Sequence, residues 1–296
     1  MASVQDLKRR IRSVRNTRKI TRAMELVAAA KLRRAQTRIE SMRPYAATMQ
    51  ELIAGVGRAS SSVRLPLLEQ RETVVNVLLV PLTGDRGLAG AFNAQVLRRS
   101  LALERRLAGE GLGVQWLAVG KKGRSTLSFR RKPIVGEFVG FTDRPGYADA
   151  QAIAHRAAEL FTSGEVDRVV LVYNTFVSAL TQHVTEQDVL PISADVLETD
   201  EQERADDAMR GDFIFEPEPE EILVRLLPVY LETQLYRALL ESAASEQGAR
   251  MTAMRNASKN AGELIDGLTL SMNRARQSEI TQEILEVVAG AEALTG

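Results

Sequence analysis

The 296-residue sequence contains no cysteine. Disulfide bonds, thiolate zinc sites and thiol switching are therefore excluded. Aromatic residues are also few, and none precedes Tyr45. The longest apolar runs, such as residues 77–82, fall far short of the roughly 20 residues that a membrane-spanning helix needs. The N-terminus lacks the apolar core of a signal peptide, so we expect a protein that stays in the cytoplasm.

The charge of the chain is unevenly distributed, although its formal net value is only +1. Residues 1–43 contain thirteen Lys and Arg against three acidic residues. Residues 198–221 contain eleven Asp and Glu against two Arg. This separation indicates that different parts of the molecule face different partners.

The N-terminal region is predicted to form one long helix, because no glycine precedes Gly55 and Pro44 is its only proline. Apolar residues repeat at alternating intervals of three and four over seven heptads, which is typical of a helix that pairs with another. Such a helix would be about 80 Å long. The seam turns polar at Arg18, Thr21 and Glu25, where we expect contact with partner proteins, while Ile20, Met24 and Val27 form an apolar stripe on a neighbouring face.

The middle of the chain alternates β-branched strands with helical segments, which predicts an α/β domain with a mostly parallel, helix-covered sheet. Strands are expected around residues 73–83, 113–120, 134–140 and 168–176. A further strand, residues 182–190, is expected to return antiparallel beside the last of these. Helices are expected at residues 93–107, 121–130 and 148–161.

A second long helix is predicted near the C-terminus, with Pro228 as a candidate kink. Its apolar seam runs over residues 251–275 and continues, after a one-residue shift, through Ile280, Ile284, Val287, Ala291 and Leu294. The simplest arrangement is an antiparallel coiled coil of the two ends carrying a Rossmann-like α/β domain. We expect an N-terminal coiled-coil helix at residues 1–58, the α/β domain at 72–197, an acidic linker at 198–217 and a C-terminal coiled-coil helix at 218–296.

The loop TGDRGLAGAFN, residues 83–93, follows a strand and opens a helix, where α/β proteins bind phosphate. Its glycine spacing fits neither the dinucleotide-binding nor the P-loop pattern. We therefore interpret the glycines as turn and packing residues, with Asp85 or Arg86 tying the turn. His155 and His183 have no neighbours suited to a metal site or a catalytic triad. The residues predict no catalytic site, no metal site and no cofactor.

Three hypotheses remain open from the residues alone. The basic N-terminal helix could neutralise phosphates of a nucleic acid. The long helical pair could instead belong to a structural or force-bearing protein held by other proteins. A nucleotide-binding α/β enzyme is the third alternative, and it requires the loop at residues 83–93 to bind phosphate.

Three segments carry a resemblance to a known family. RIRSVRNTRKITRAMELVAAAKLRRAQ near the start, GDRGLAGAFN after the first strand and EQGARMTAMRNASKNAGELIDGLTLSMNRARQSEITQEILEVVAGAEAL at the end resemble the gamma subunit of bacterial-type F-type ATP synthases. The family form of the central motif has Ser where Gly84 stands, and Cys-Gly where Ala89 and Gly90 stand. The cysteine-bearing insertion of redox-regulated chloroplast members is also missing.

The resemblance implies a non-catalytic rotor subunit of the central stalk, which couples rotation of the c ring to the catalytic cycle of the alpha and beta subunits. Implied partners are the alpha and beta subunits, the epsilon subunit and the c ring, with no nucleic acid. Membrane association is implied only through the complex, at the cytoplasmic face of the bacterial membrane. The residues implied to meet beta subunits are Met24, Arg250, Arg276 and Gln277. Those implied to meet the c ring are Phe213 and Glu216.

Overall fold

The computed structural model describes residues 3–59, 65–193, 196 and 218–295. Two long helices flank an alternation of strands and shorter helices. The elements, in chain order, are α1 (Val4–Ala59), β1 (Asn76–Pro81), α2 (Phe92–Gly109), β2 (Gly113–Val119), α3 (Lys121–Phe129), β3 (Ile134–Phe138), α4 (Tyr147–Thr162), β4 (Arg168–Phe176), β5 (Gln182–Leu190) and α5 (Pro219–Thr295). The predicted fold class is confirmed.

The chain divides into two compact units. One consists of Met1–Ala28 with Arg250–Gly296, and the other of Ala29–Ala249. Each long helix contributes residues to both units. Pro44 and Pro228 lie inside α1 and α5, and neither interrupts its helix. The second of two prolines in the segment EPEPEE begins α5, where the missing N–H of proline is not needed.

The unit Ala29–Ala249 contains a five-stranded sheet in the order β3-β2-β1-β4-β5. All neighbouring strands are parallel except β4 and β5, which pair antiparallel as the sequence predicts. Alternate residues of β1 enter two cores on opposite faces: Leu78 and Val80 face α4 and α5, whereas Val77 and Leu79 face α2 and α3. Both faces of the sheet are thus covered, which explains the continuous apolar run of β1.

The unit Met1–Ala28 with Arg250–Gly296 is an antiparallel helix pair. Its direction follows from two contacts: Glu25 meets Arg255, and Arg18 lies over Gly262, where a Cβ would be 3.6 Å from the guanidinium carbon. Part of the predicted seam is buried on both helices. Its buried apolar members are Leu7, Ile11, Ala28, Met254, Ala261 and Ile265.

Candidate functional site

The glycine-rich loop after β1 is tied by Asp85. Its carboxylate accepts backbone N–H bonds from Lys121 at 3.0 Å, from Gly140 at 2.9 Å and from Thr142 at 3.1 Å, together with the Thr142 hydroxyl at 3.0 Å. Burial alone would raise the pKa of the Asp85 carboxyl, but these donors outweigh it and hold the pKa below its ordinary value. The prediction that Asp85 or Arg86 ties this turn is confirmed for Asp85.

The space in front of the same loop is occupied by a carboxylate. A Cβ built on Gly84 would lie 2.8 Å from the carboxyl group of Glu246, which is buried on α5. This position, at the carboxyl end of β1, is where α/β proteins bind a phosphate. The buried carboxyl group fills this space and leaves no room there for a phosphate. The geometry therefore favours the packing interpretation of these glycines over the nucleotide-binding alternative.

A polar face of α5 continues along the carboxyl end of the sheet. The Ser245 hydroxyl donates to the Asn174 carbonyl at 3.0 Å, and Gln247 Nε2 donates to Asp143 Oδ1 at 2.8 Å. Asp143 also pairs with Lys31 of α1 at 2.5 Å. These hydrogen bonds and the ion pair join the loop after β3 to both long helices. At the carboxyl end of the sheet, α5 fills the crevice in which many α/β proteins bind a ligand.

A second polar cluster lies between α4 and α5. Glu232, only 4% exposed, accepts hydrogen bonds from the Tyr147 hydroxyl at 2.6 Å and from Gln151, and its Oε1 lies 3.1 Å from His155 Nε2. Burial and the Glu232 carboxylate raise the pKa of Tyr147. This cluster was not predicted from the sequence, although Tyr147, Gln151 and His155, at spacings of four, lie on one face of a helix. Among the described residues, no group of three or more His, Cys, Asp or Glu could hold a metal ion.

The predicted polar break of the α1 seam requires a correction. Thr21 and Glu25 are not outward-facing, because they are 8% and 4% exposed and continue the buried seam. Glu25 accepts from Arg255 Nε at 3.0 Å and from Arg22 Nη1 at 2.7 Å. A carboxylate can be buried there because two guanidinium groups pair with it. Burial alone would raise the pKa of Glu25, but Arg255 and Arg22 outweigh it and keep the pKa below its ordinary value.

The exposed apolar residues of this part of α1 lie on the neighbouring face. Ile20 and Val27 are 60% and 56% exposed, Leu26 is similarly exposed, and Met24 lies half-buried beside them. The cations of this stretch are exposed as well. They are Lys8, Arg9, Arg10, Arg12, Arg15, Arg18, Lys19 and Arg22. Apolar and basic residues are therefore both exposed in this part of α1, and exposed apolar residues are what the partner-protein hypothesis requires.

The last part of α5 also departs from the prediction. Ile280, Ile284 and Val287 were expected to continue the paired seam, but they are 46%, 57% and 73% exposed. The pair ends near Glu279, which lines a cavity with the first residues of α1, so beyond that point α1 offers no face to cover them. Leu285 and Val288 are exposed too. Exposed apolar segments of this kind are typical of protein–protein contact surfaces.

The other residues implied by the resemblance fall in different environments. Arg276 and Gln277 are exposed on α5, close to this apolar segment. Arg250 is only 8% exposed and lies near the middle of α5. Phe213 and Glu216, like the acidic linker at residues 198–217, lie outside the described residues. No helix in the described part of the chain is both long and apolar enough to cross a bilayer.

An α/β sheet flanked in the sequence by two long helices, with exposed apolar and basic residues on those helices, defines the class of protein. Residues 3–294 match the family model described as ATP synthase. The ATP synthase gamma chain of Rubrobacter xylanophilus is 47% identical over 294 residues, which are 99% of each chain. That of Moorella thermoacetica is 48% identical and covers 99% of this chain and 100% of its own length. The chain belongs to the ATP synthase gamma chain family.

Solved structures show the same architecture. A chain from the Tetrahymena thermophila mitochondrial ATP synthase central stalk and c-ring is 30% identical, with a TM-score of 0.58 over 81% of this chain and 99% of that one. A chain from the Euglena gracilis mitochondrial ATP synthase has a TM-score of 0.69 over 98% of this chain and 94% of that one. At 18% identity, this second likeness concerns the fold alone.

Proposed function

We propose that this chain is the rotor shaft of a bacterial F-type, proton-translocating ATP synthase. It couples rotation of the c ring to the conformational cycle of the alpha and beta subunits, for ATP synthesis or for hydrolysis-driven proton pumping. The observation that carries the proposal is the full-length match to ATP synthase gamma chains. The likeness to a central-stalk chain from Tetrahymena supports the same role.

The work that such a shaft transmits sets a mechanical requirement. Moving one charge through 100 mV yields about 2.3 kcal/mol, so the several charges used per ATP deliver on the order of 10 kcal/mol. That is comparable with the whole stability of an ordinary domain, about 5–15 kcal/mol. A single helix would not bear it alone. The buried seam of the helix pair, with the Glu25–Arg255 ion pair across it, joins the two helices so that they can share the load.

The contacts with beta subunits are assigned to two exposed surfaces. The first surrounds Met24, where exposed Ile20 and Val27 stand beside Lys19 and Arg22. Its combination of apolar and basic groups suits acidic loops that the surface slides past. The second consists of Arg276 and Gln277 at the start of the apolar end of α5. Arg250 belongs to the same proposal, but its buried side chain would have to turn outward to reach a partner.

The remaining proposed partners are the c ring and the epsilon subunit. Phe213 and Glu216 are proposed to meet the polar loops of the c ring, and the epsilon subunit is proposed to stand beside the α/β domain. The chain itself would carry no catalytic site and would take up no nucleotide for turnover. Its place would be peripheral, at the cytoplasmic face of the bacterial membrane, held there by the complex.

Reconstitution tests the proposal directly. Purified chain is added to alpha and beta subunits of a bacterial enzyme, and the complex is isolated by size-exclusion chromatography. We expect one copy per three alpha and three beta subunits, and cooperative ATPase activity that alpha and beta alone do not show. A chain that fails to co-purify, or that leaves the activity unchanged, contradicts the proposal. Titration of ATP into the isolated chain should release no heat of binding.

A further inference from the structure

The outer sides of α2 and α3 form a strongly basic surface, here called the α2–α3 surface. Both helices cover the same face of the sheet, and residues 92–132 contain ten Lys and Arg against two acidic residues, Glu104 and Glu110. Four of these cations pair with carboxylates, namely Arg99, Arg106, Arg124 and Lys132. The other six are exposed and form no ion pair with a described residue. They are Arg98, Arg105, Lys121, Lys122, Arg130 and Arg131.

The ends of α2 and α3 lie together at the amino end of the sheet. Each helix connects two parallel strands, so it begins at the carboxyl end of the sheet and returns to the amino end. Lys132 Nζ lies 2.8 Å from Glu104 Oε2, which joins the turn after α3 to the second half of α2. The neighbours of this ion pair in the sequence, Arg105 and Arg131, therefore stand on the same part of the surface.

A single large apolar side chain projects among these cations. Phe129, the last residue of α3, is 89% exposed. The structure describes residues 92–132 throughout, and no other large apolar side chain in this stretch is exposed. The α2–α3 surface thus combines a high positive charge with one projecting aromatic ring.

This combination suits an anionic bilayer better than another macromolecule. The centre of a protein interface is an apolar cluster from which charged residues are depleted, whereas here one phenylalanine stands among arginines. A single-stranded nucleic acid stacks successive bases on several aromatic residues, and this surface has one. At a membrane, by contrast, apolar side chains enter the headgroup region while Lys and Arg are attracted to the anionic lipids.

The acidic stretch at residues 198–217 is a less suitable partner for these cations. The described residues on either side of it include Val196 and Ile222, which pack against the core on the opposite face of the sheet. The chain therefore enters and leaves the acidic stretch on the face away from α2 and α3. This favours an external anion as the partner of the α2–α3 surface.

We propose that the α2–α3 surface binds the headgroups of anionic lipids. The ring of Phe129 enters the headgroup region, and Arg105, Arg130 and Arg131 meet the lipid phosphates. Such binding brings the chain to the membrane by its own surface, in addition to any attachment through a complex.

The position of this surface agrees with the proposed function. β5 ends at Leu190, opposite Val169 near the beginning of β4, so the chain leaves the sheet at its amino end. It continues there into the segment that is proposed to meet the c ring, which puts this end of the sheet nearest the membrane. The argument for orientation rests on the proposed function. The lipid binding itself requires only the isolated chain, so its test and the reconstitution test can fail independently.

The test uses a tryptophan reporter in the full-length chain. Phe129→Trp is a local probe, because the one native tryptophan, Trp116, is fully buried. With vesicles of phosphatidylcholine and about 30 mol% phosphatidylglycerol, we expect a blue shift of the emission and protection from acrylamide. Vesicles of phosphatidylcholine alone should cause neither. Salt at about 1 M should abolish the shift, since the Debye length falls to about 3 Å.

A second reporter and two double variants locate the binding surface. Leu180→Trp, an exposed position between β4 and β5 at the carboxyl end of the sheet, should keep its emission unchanged. In the Phe129→Trp chain, Arg130→Gln with Arg131→Gln should weaken vesicle binding at least tenfold. Arg12→Gln with Arg15→Gln removes the same charge from exposed positions of α1 and should leave the shift unchanged. Circular dichroism verifies that each variant is folded.

Three results would overturn the proposal. The first is an equal loss of binding in the two double variants, which would show that the total charge of the chain matters and not this surface. The second is a blue shift of Leu180→Trp as large as that of Phe129→Trp. The third is a folded Phe129→Trp chain that does not respond to anionic vesicles. If that chain responds to poly-L-glutamate instead, the surface binds an acidic protein and not a membrane.

Discussion

Arg255 donates through Nε to Glu25 Oε1 at 3.0 Å, although 230 residues separate them in the chain. The carboxylate is buried, whereas the Arg255 side chain is 58% exposed. Arg22 holds the other oxygen at 2.7 Å. The contact favours one register of the antiparallel helices, because a shift of either helix would separate Arg255 from the buried carboxylate and leave Arg22, on the same helix, to pair with it.

Replacement of this carboxylate should weaken the helix pair. Glu25→Gln leaves two guanidinium groups without a charged partner and is expected to lower the free energy of unfolding by about 1–2 kcal/mol, less than for a fully buried pair because both arginines are partly exposed. Urea unfolding measures the change. Glu263→Gln is the matched control, since the Lys259–Glu263 pair is exposed and 3.9 Å long, and it should cost less than about 0.5 kcal/mol. Equal effects of the two variants would contradict the expectation that the Glu25 carboxylate stabilises the helix pair.

The loop after β1 should show a pH-dependent stability through Asp85. Its pKa is lower in the folded chain than the value of about 3.9 in an unfolded one. The carboxylate therefore contributes stability above the unfolded pKa and loses it as the pH falls through the folded pKa. Asp85→Asn should cost about 1–3 kcal/mol at pH 7, and its difference from wild type should shrink below about pH 4. Asp266→Asn, on an exposed position of α5, is the control and should change the free energy of unfolding at pH 7 by less than about 0.5 kcal/mol.

The contact of Gly84 with Glu246 predicts a steric effect. Gly84→Ala places a methyl group 2.8 Å from the buried carboxyl group, and we expect a loss of about 1–2 kcal/mol from overpacking. Gly109→Ala is the control, because nothing lies within 4 Å of its Cβ position. A double-mutant cycle with Glu246→Ala should show that the Gly84→Ala penalty falls when the carboxylate is absent. If the Gly84→Ala penalty is the same in the absence of the Glu246 carboxylate, the contact with Glu246 is not its cause.

The exposed face of α1 predicts a functional effect. Met24→Lys adds a cation to the proposed sliding contact and should leave the reconstituted complex assembled, while it reduces proton pumping per ATP hydrolysed in membrane vesicles. Thr37→Lys adds the same charge to an exposed position farther along α1 and should retain coupling. Unchanged coupling in the Met24 variant removes Met24 from the contact, and loss of assembly would assign it a structural role instead.

The sequence determined the architecture of this protein to a large extent. The heptad pattern of α1 and α5, and the short β-branched runs between them, predicted the helices and the five strands. The spacing of apolar residues and the residue types found in turns are local properties, so they can be read directly from the sequence. The role of Asp85 in the turn after β1 could be predicted for the same reason. The terminal and central motifs also indicated the family, because they are long and non-repetitive.

The tertiary structure alone decided which polar residues are buried and which apolar residues are not. Thr21 and Glu25 look like a break in the α1 seam, yet they continue it because Arg255, far along the chain, neutralises the carboxylate. Ile284 and Val287 look like a seam, yet they are exposed because the helix pair ends before them. Glu246 and Glu232 make their contacts with Gly84 and Tyr147 because α5 packs against the α/β layer. In each case the residues that determine the burial lie far away in the sequence. The pattern of one segment does not show which other segment packs against it.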